Sequence, residues 1–135
     1  KFPTNADLTK AYSQAIGDFI KAANTKNKTR FDTLFIGKRA NGQPDDFPDI
    51  ELPVIIEHTR IRLIAPEAGI KLQKARKARI YINLIGWVEK ETAEFIFVVF
   101  SNGFEHQYDY RINYKYNIKQ KRFELSDLKF KGPPF

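Results

Sequence analysis

The stretch AEFIFVVFSNGFEHQYDYRINYKYN, residues 93–117, carries the strongest structural signal in this chain. In its second half, tyrosine or isoleucine occupies each even position from 108 to 116, and charged or amide side chains occupy the odd positions. A period of two places the two sets on opposite faces of a β-strand. The first half, Phe95 to Phe100, is apolar on both faces, so we expect it inside a sheet and not at an exposed edge. Asn102-Gly103 indicates a hairpin turn between the halves.

The period of two continues on both sides of this hairpin. It predicts four strands, at roughly 78–89, 93–101, 106–117 and 121–131. Because the connections are short, each strand is expected to pair antiparallel with its neighbour in the chain. In the last strand the apolar residues change from odd to even positions near Ser126 and Asp127, which predicts a β-bulge or bend there. We expect the sheet to curve at this irregularity and at Gly86.

Two helices are predicted before the meander. Apolar side chains recur at helical spacing over residues 5–24, and Thr4 and Asp7 form a capping arrangement at the start. A second helix is predicted from Pro66 to Arg76, since proline fits the first turn of a helix. The segments between them are predicted as a helical turn over 31–34, strands over 33–38 and 59–64, and a proline-containing loop over 39–52.

The composition bounds the class of protein. A chain of 135 residues is sufficient for one domain, spanning 1–135. The sequence has no cysteine, which excludes disulfides, thiolate metal sites and a cysteine nucleophile. It has no methionine either, so we expect a leader before Lys1 and export to the periplasm or cell envelope. No run approaches the roughly 20 apolar residues of a transmembrane helix.

The charge is positive and unevenly distributed. The chain has 23 basic and 16 acidic side chains, a net charge of +7, and the excess lies in the C-terminal half. Two basic clusters are typical of a solvated helix face and of lysines at a hairpin turn, although such fields also attract anionic partners. The first cluster, the basic patch, consists of Lys71, Lys74, Arg76, Lys77 and Arg79, and the second consists of Lys115, Lys119, Lys121 and Arg122.

The order of helix, helical turn, two strands, helix and four-stranded meander resembles the nuclear-transport-factor-2-like superfamily. This is the α+β cone of the ketosteroid isomerases and SnoaL-like proteins. The resemblance covers nearly the whole chain and is carried by the Thr4–Asn24 and Pro66–Arg76 helices and by the strands containing Ile82–Trp87 and Phe95–Phe100. It implies a curved antiparallel sheet wrapped around both helices, a conical pocket, and often a homodimer paired through the outer sheet face. A cystatin-like arrangement, usually with one helix, is the nearest alternative.

Aromatic side chains and one aspartate are the candidate pocket residues. Buried tyrosine hydroxyls need hydrogen-bond partners, so this cluster is either a hydrogen-bonded core or an apolar cavity with polar handles. Tyr81 and Trp87 share a parity, so we expect both on the same face of the sheet. The candidate set is Tyr12, Asp32, Tyr81, Trp87, Tyr108, Tyr110 and Tyr114.

Motifs for catalysis, metals and nucleic acid are weak. Tyr12 is similar to the helix-borne tyrosine of the family, with Asp32 as a candidate general base, but a core aromatic and a turn residue explain both. His58 and His106 lack zinc-ligand spacing. The loop aspartates at 45, 46 and 49 miss the calcium-binding pattern. Tyrosines and lysines of residues 108–117 fall on opposite faces, which disfavours single-stranded nucleic acid as a partner.

We therefore predict a non-catalytic binding or accessory module with no cofactor, which binds a small molecule in a pocket between the curved sheet and the helices. One alternative is a cofactor-free isomerase-like or dehydratase-like enzyme for a small hydrophobic molecule. Another is a scaffold or inhibitor domain that binds an acidic protein partner. A carboxylate beside a tyrosine in a pocket favours the enzyme, whereas a filled core with an apolar exposed sheet favours assembly.

Overall fold

The computed structural model describes residues 2–27, 30, 32–38 and 47–131. These residues form two helices and a curved, unclosed, mixed sheet, which confirms the predicted α+β class. The elements are α1 (Asn5–Asn27), β1 (Thr33–Gly37), β2 (Ile55–Ile56), β3 (Thr59–Ile64), α2 (Pro66–Lys74), β4 (Ile80–Val88), β5 (Thr92–Ser101), β6 (His106–Asn117) and β7 (Arg122–Lys131).

The order of strands in the sheet is β2-β3-β1-β4-β5-β6-β7. Strands β4 to β7 form the predicted antiparallel meander, and β5, with its apolar run Phe95 to Phe100, is internal as predicted. However, β1 pairs in parallel with both β3 and β4, so the sheet is mixed and not antiparallel throughout. The chain therefore crosses over β1 between β3 and β4, and α2 is part of that crossover.

The predicted bulge lies in β7. Asn113 pairs with Asp127 and Tyr114 pairs with Leu125, which leaves Ser126 without an opposite residue. The Ser126 hydroxyl donates a hydrogen bond to the Asn113 carbonyl at 3.0 Å. The bulge therefore shifts the side-chain alternation of β7 by one residue.

The helix α1 packs on one face of the sheet, which we call the inner face. Phe19 stacks on Phe97 with ring centroids 4.5 Å apart and planes 5° from parallel, and Tyr12 sets its ring edge-on to Phe95 at 4.9 Å. The interior between α1 and the sheet is therefore closely filled by side chains. Its other buried residues include Ala15, Ile16, Ile20, Ala23, Leu34, Ile36, Ile82, Leu84, Val99, Tyr110, Ile112 and Tyr114.

The helix α2 packs on the opposite face, the outer face. Ile80 and Ile82 of β4 contribute to the core under α1, so Tyr81 between them points to the outer face. Tyr81 is buried beneath α2, where Gly69 has no side chain to obstruct its ring. The sequence placed both helices inside the curve of the sheet, whereas the structure places only α1 there.

Other differences from prediction are local. The predicted helical turn over 31–34 is wrong at Thr33 and Leu34, which begin β1. The helix α1 continues to Asn27, and α2 ends at Lys74. No helix among the described residues is long and apolar enough to span a membrane. The residues Phe31, Asn41, Gly42, Asp45 and Asp46 lie outside the described part of the chain.

Two helical glycines test the packing of the two faces. In Gly17→Ala the nearest neighbour of the added methyl group is a side-chain carbon of Ile56 at 3.5 Å, an ordinary van der Waals distance. We therefore expect the variant to be about 0.5–1 kcal/mol more stable, because alanine has a higher helix propensity than glycine. In Gly69→Ala the methyl group overlaps the buried Tyr81 ring, so we expect destabilisation by about 1–3 kcal/mol. Urea unfolding measures both. Equal effects of the same sign would contradict the packing of α2 on Tyr81.

Candidate functional site

A cleft lies between the first turns of α1 and the end of the β6–β7 hairpin, on the inner face. Its volume is about 400 Å³. Apolar side chains form its floor and charged side chains surround it. We call it the hairpin cleft, and its lining consists of Phe2, Asp7, Lys10, Ala11, Gln14, Lys90, Glu91, Tyr116, Ile118, Lys121, Arg122 and Phe123.

The floor of the hairpin cleft is held by contacts between distant parts of the chain. Tyr116 and Phe123 are opposite each other on β6 and β7, and their rings meet edge-to-face at 5.4 Å. The Gln14 side-chain amide donates a hydrogen bond to the Phe123 carbonyl at 2.9 Å, which ties the hairpin to α1. Both rings remain half-buried, so they present apolar surface to the cleft.

The rim of the hairpin cleft is predominantly basic. Lys10, Lys90, Lys121 and Arg122 are exposed, and within the described residues none of them forms an ion pair. One of the two acidic residues of the lining, Asp7, is occupied at the start of α1. Its carboxylate accepts hydrogen bonds at 2.8 Å from the backbone and the hydroxyl of the capping threonine, and these bonds lower the pKa of Asp7. An anion at this rim therefore meets cations that are free to bind it.

Four of the predicted pocket residues lie together on the inner face, but they are buried in the core. Tyr12, Tyr108, Tyr110 and Tyr114 are at most 6% exposed. The Tyr12 hydroxyl lies 3.5 Å from the Gly86 carbonyl, to which it donates. Burial raises the pKa of Tyr12 to about 12 and also raises the pKa of Tyr110. These tyrosines therefore fill the interior that the sequence left open as either a core or a cavity.

The other three predicted pocket residues lie elsewhere. Tyr81 and Trp87 share the outer face, as their common parity required, with Tyr81 beneath α2 and Trp87 49% exposed. Asp32 is exposed, and its backbone carbonyl accepts a hydrogen bond from the Arg60 amide at 3.0 Å. Because the sheet separates its two faces, no single pocket contains all seven residues.

The structure does contain a tyrosine beside a carboxylate, but the sequence did not indicate this pair. The Tyr114 hydroxyl donates a hydrogen bond to an Asp18 carboxylate oxygen at 2.6 Å. Burial, this hydrogen bond and the charge of Asp18 raise the pKa of Tyr114. The groove beside Asp18 is shallow and open, so the pair satisfies a buried hydroxyl and does not face an enclosed substrate cavity.

The basic patch lies on and after α2, and therefore on the outer face. All five of its side chains are exposed. Arg76 pairs with Glu105 at 3.3 Å and joins α2 to the β5–β6 turn. The patch is thus separated from the hairpin cleft by the sheet. Of the hairpin cluster noted in the sequence, Lys121 and Arg122 contribute to the cleft.

Comparisons with protein families, curated proteins and solved structures found no match to this chain. Among the described residues, no group of three or more histidine or carboxylate side chains is placed to hold a metal ion. The function must therefore be inferred from the geometry of the hairpin cleft and of the surfaces around it.

The raised pKa of Tyr114 predicts a loss of stability in alkali. Above its ordinary pKa of 10.0, this tyrosine loses its proton in the unfolded chain but keeps it in the folded protein. The free energy of unfolding should therefore fall above pH 10, by up to about 1.4 kcal/mol per pH unit for this group. Urea unfolding between pH 9 and pH 11 measures the slope, at pH values chosen around this ordinary pKa.

Tyr114→Phe is the matched variant. At neutral pH it should be about 1–2 kcal/mol less stable than the natural protein, because it loses the hydrogen bond to Asp18. In alkali its stability should fall less steeply, so the difference between the two proteins should shrink. Parallel stability curves would contradict the raised pKa.

Proposed function

We propose that the protein is a non-catalytic binding module and that the hairpin cleft holds a small amphipathic anion. The observation that carries this proposal is the apolar floor of Tyr116 and Phe123 beneath a rim of four cations without ion pairs among the described residues. The aromatic floor can contact the apolar body of a ligand, and the basic rim can bind its carboxylate, sulfonate or phosphate group.

The dimensions of the hairpin cleft support a small ligand. A volume of about 400 Å³ lies within the roughly 300–1,000 Å³ of small-molecule sites. Medium-chain carboxylates fit this description, with the chain against Phe123 and the carboxylate towards Lys121 and Arg122. The Gln14 hydrogen bond holds the floor in place before a ligand arrives, which limits the entropy lost on binding.

The position of the cleft is also compatible with the resemblance to the nuclear-transport-factor-2-like superfamily. It lies where the inner face of a curved sheet extends beyond α1, as a pocket between sheet and helix is expected to lie. Membership of that superfamily, export and a homodimer through the outer face remain predictions. The enzyme alternative has less support, because Asp18 and Tyr114 bind each other outside this cleft.

A second binding function is favoured by the exposed lysines of the basic patch. Lys71, Lys74 and Lys77 form no ion pair within the described residues, so they present positive charge at the outer face. This surface suits an acidic protein partner, whose association would weaken as salt screens the charges. Such a partner would not compete with a ligand in the hairpin cleft, because the sheet lies between the two sites.

Decanoate and decanol distinguish the contribution of the charged rim. They have chains of the same length, but only decanoate carries a negative charge at neutral pH. We expect decanoate to bind with a dissociation constant about 10-fold or more below that of decanol, since several cations surround one carboxylate. Isothermal titration calorimetry below the aggregation limit of each compound measures both. Equal affinity for the two compounds would contradict the proposal.

Matched double variants locate the site. Lys121→Ser with Arg122→Ser should weaken decanoate binding about 3- to 10-fold, because each lost cation removes a modest surface interaction. Lys71→Ser with Lys74→Ser removes the same charge from the outer face and should leave the affinity unchanged. If both double variants weaken binding equally, the effect is one of net charge and the hairpin cleft is not the site.

A further inference from the structure

The segment Phe123–Phe130 is complementary to itself when a second copy runs in the opposite direction. Its sequence is FELSDLKF. In the antiparallel register that sets each phenylalanine against the other, glutamate meets lysine and leucine meets leucine. The opposed pairs are Phe123 with Phe130, Glu124 with Lys129, Leu125 with Leu128, and Ser126 with Asp127.

This segment lies in β7, at the edge of the sheet. Within the described residues β7 pairs only with β6, so its other edge has no strand beside it. Such an edge is a template for pairing with another strand. On the inner side of this edge, a shallow groove of about 740 Å³ separates β7 from α1. Leu125, which is 51% exposed, and Leu128 line that groove together with Ala22 of α1.

The bulge at Ser126 makes the register geometrically consistent. Residues directly opposite each other in antiparallel strands must share a face of the sheet. In a regular strand Leu125 and Leu128 would lie on opposite faces, as would Glu124 and Lys129. Because the bulge shifts the alternation, both leucines lie opposite inner-face residues of β6, namely Tyr114 and Ile112.

Glu124 and Lys129 also share one face of the sheet, as opposed residues must. Glu124 lies opposite Lys115, and Lys129 lies opposite Arg111, both on the outer face. Within the part of the chain that the structure describes, the partners of these two charges in a single copy are local. Glu124 accepts a hydrogen bond from the Asn117 side chain, and Lys129 lies 3.6 Å from Asp127 in an exposed pair. Lys129 is exposed and Glu124 is partly exposed, and both lie on the edge strand that a second copy would approach.

We propose that β7 pairs antiparallel with β7 of a second copy, about a twofold axis between Ser126 and Asp127, and joins two sheets into one. A twofold axis makes every contact occur twice. Two Glu124–Lys129 pairs form on the outer face, and two Leu125–Leu128 contacts cover the open grooves on the inner face.

Charge exchange in the full chain tests this arrangement. Sedimentation equilibrium should show a concentration-dependent dimer of the natural protein. Glu124→Lys alone creates two lysine–lysine contacts, and Lys129→Glu alone creates two glutamate–glutamate contacts, so each should raise the dimer dissociation constant about 10-fold or more. An equal mixture of the two variants should dimerise again, because each then supplies the charge that the other needs. The variant with both changes should dimerise like the natural protein.

Recovery in the mixture also shows that each single variant is folded, and circular dichroism checks this independently. Trp87→Arg, on the outer face, is the matched control and should leave the dimer unchanged. The proposal is overturned if the natural protein is a monomer at every concentration tested. It is overturned equally if folded single variants do not recover on mixing, or if Trp87→Arg abolishes a dimer that tolerates the edge changes, which would place the interface on the outer face.

Discussion

The packing of α1 against the inner faces of β5 and β6 governs the architecture of this protein. Phe19 lies flat on Phe97, at a centroid distance of 4.5 Å, and makes an edge contact with Tyr110 at 4.8 Å. One helix thus joins neighbouring strands of the meander through rings that are almost completely buried. Burying aromatic rings of this size is among the largest favourable contributions that a single side chain makes to folding. The sheet curves around this contact, and its margins extend beyond the helix.

Because the centre of the molecule is filled, its binding features lie at those margins. The hairpin cleft lies where β6 and β7 extend past the first turns of α1. The shallow groove between β7 and α1 lies at the edge of the sheet that β7 forms. The tyrosines that suggested a central cavity instead complete the core, with the hydroxyl of Tyr114 satisfied by Asp18. A buried hydroxyl with an assigned partner contributes to a unique packing arrangement. It is not available to a ligand.

The two faces of the sheet separate the possible partners by chemistry. The hairpin cleft on the inner face is the proposed site for an apolar ligand with one negative group, and the basic patch on the outer face is the proposed surface for an acidic protein. The β7 edge is the proposed contact with a second copy, through backbone pairing and matched charges. These three surfaces share the sheet but little else, apart from Phe123, which lines the cleft and begins the self-complementary segment. Occupation of the hairpin cleft or of the β7 edge therefore leaves the basic patch accessible.

Local pattern was sufficient for much of this structure. The bounds of β3 and β6, the burial of the even-numbered tyrosines from 108 to 114, and the bulge at Ser126 all follow from periods of two and 3.6, since these periods describe which way neighbouring side chains point. The same patterns do not indicate which distant elements contact each other. Gln14 reaches the Phe123 carbonyl across 109 positions, Asp18 reaches Tyr114 across 96, and β1 joins β4 in parallel. The first contact holds the cleft floor, the second satisfies the tyrosine hydroxyl, and the third belongs to the crossover that carries α2 to the outer face. All three depend on how distant segments of the chain cross and pack, so no local spacing of residues could predict them.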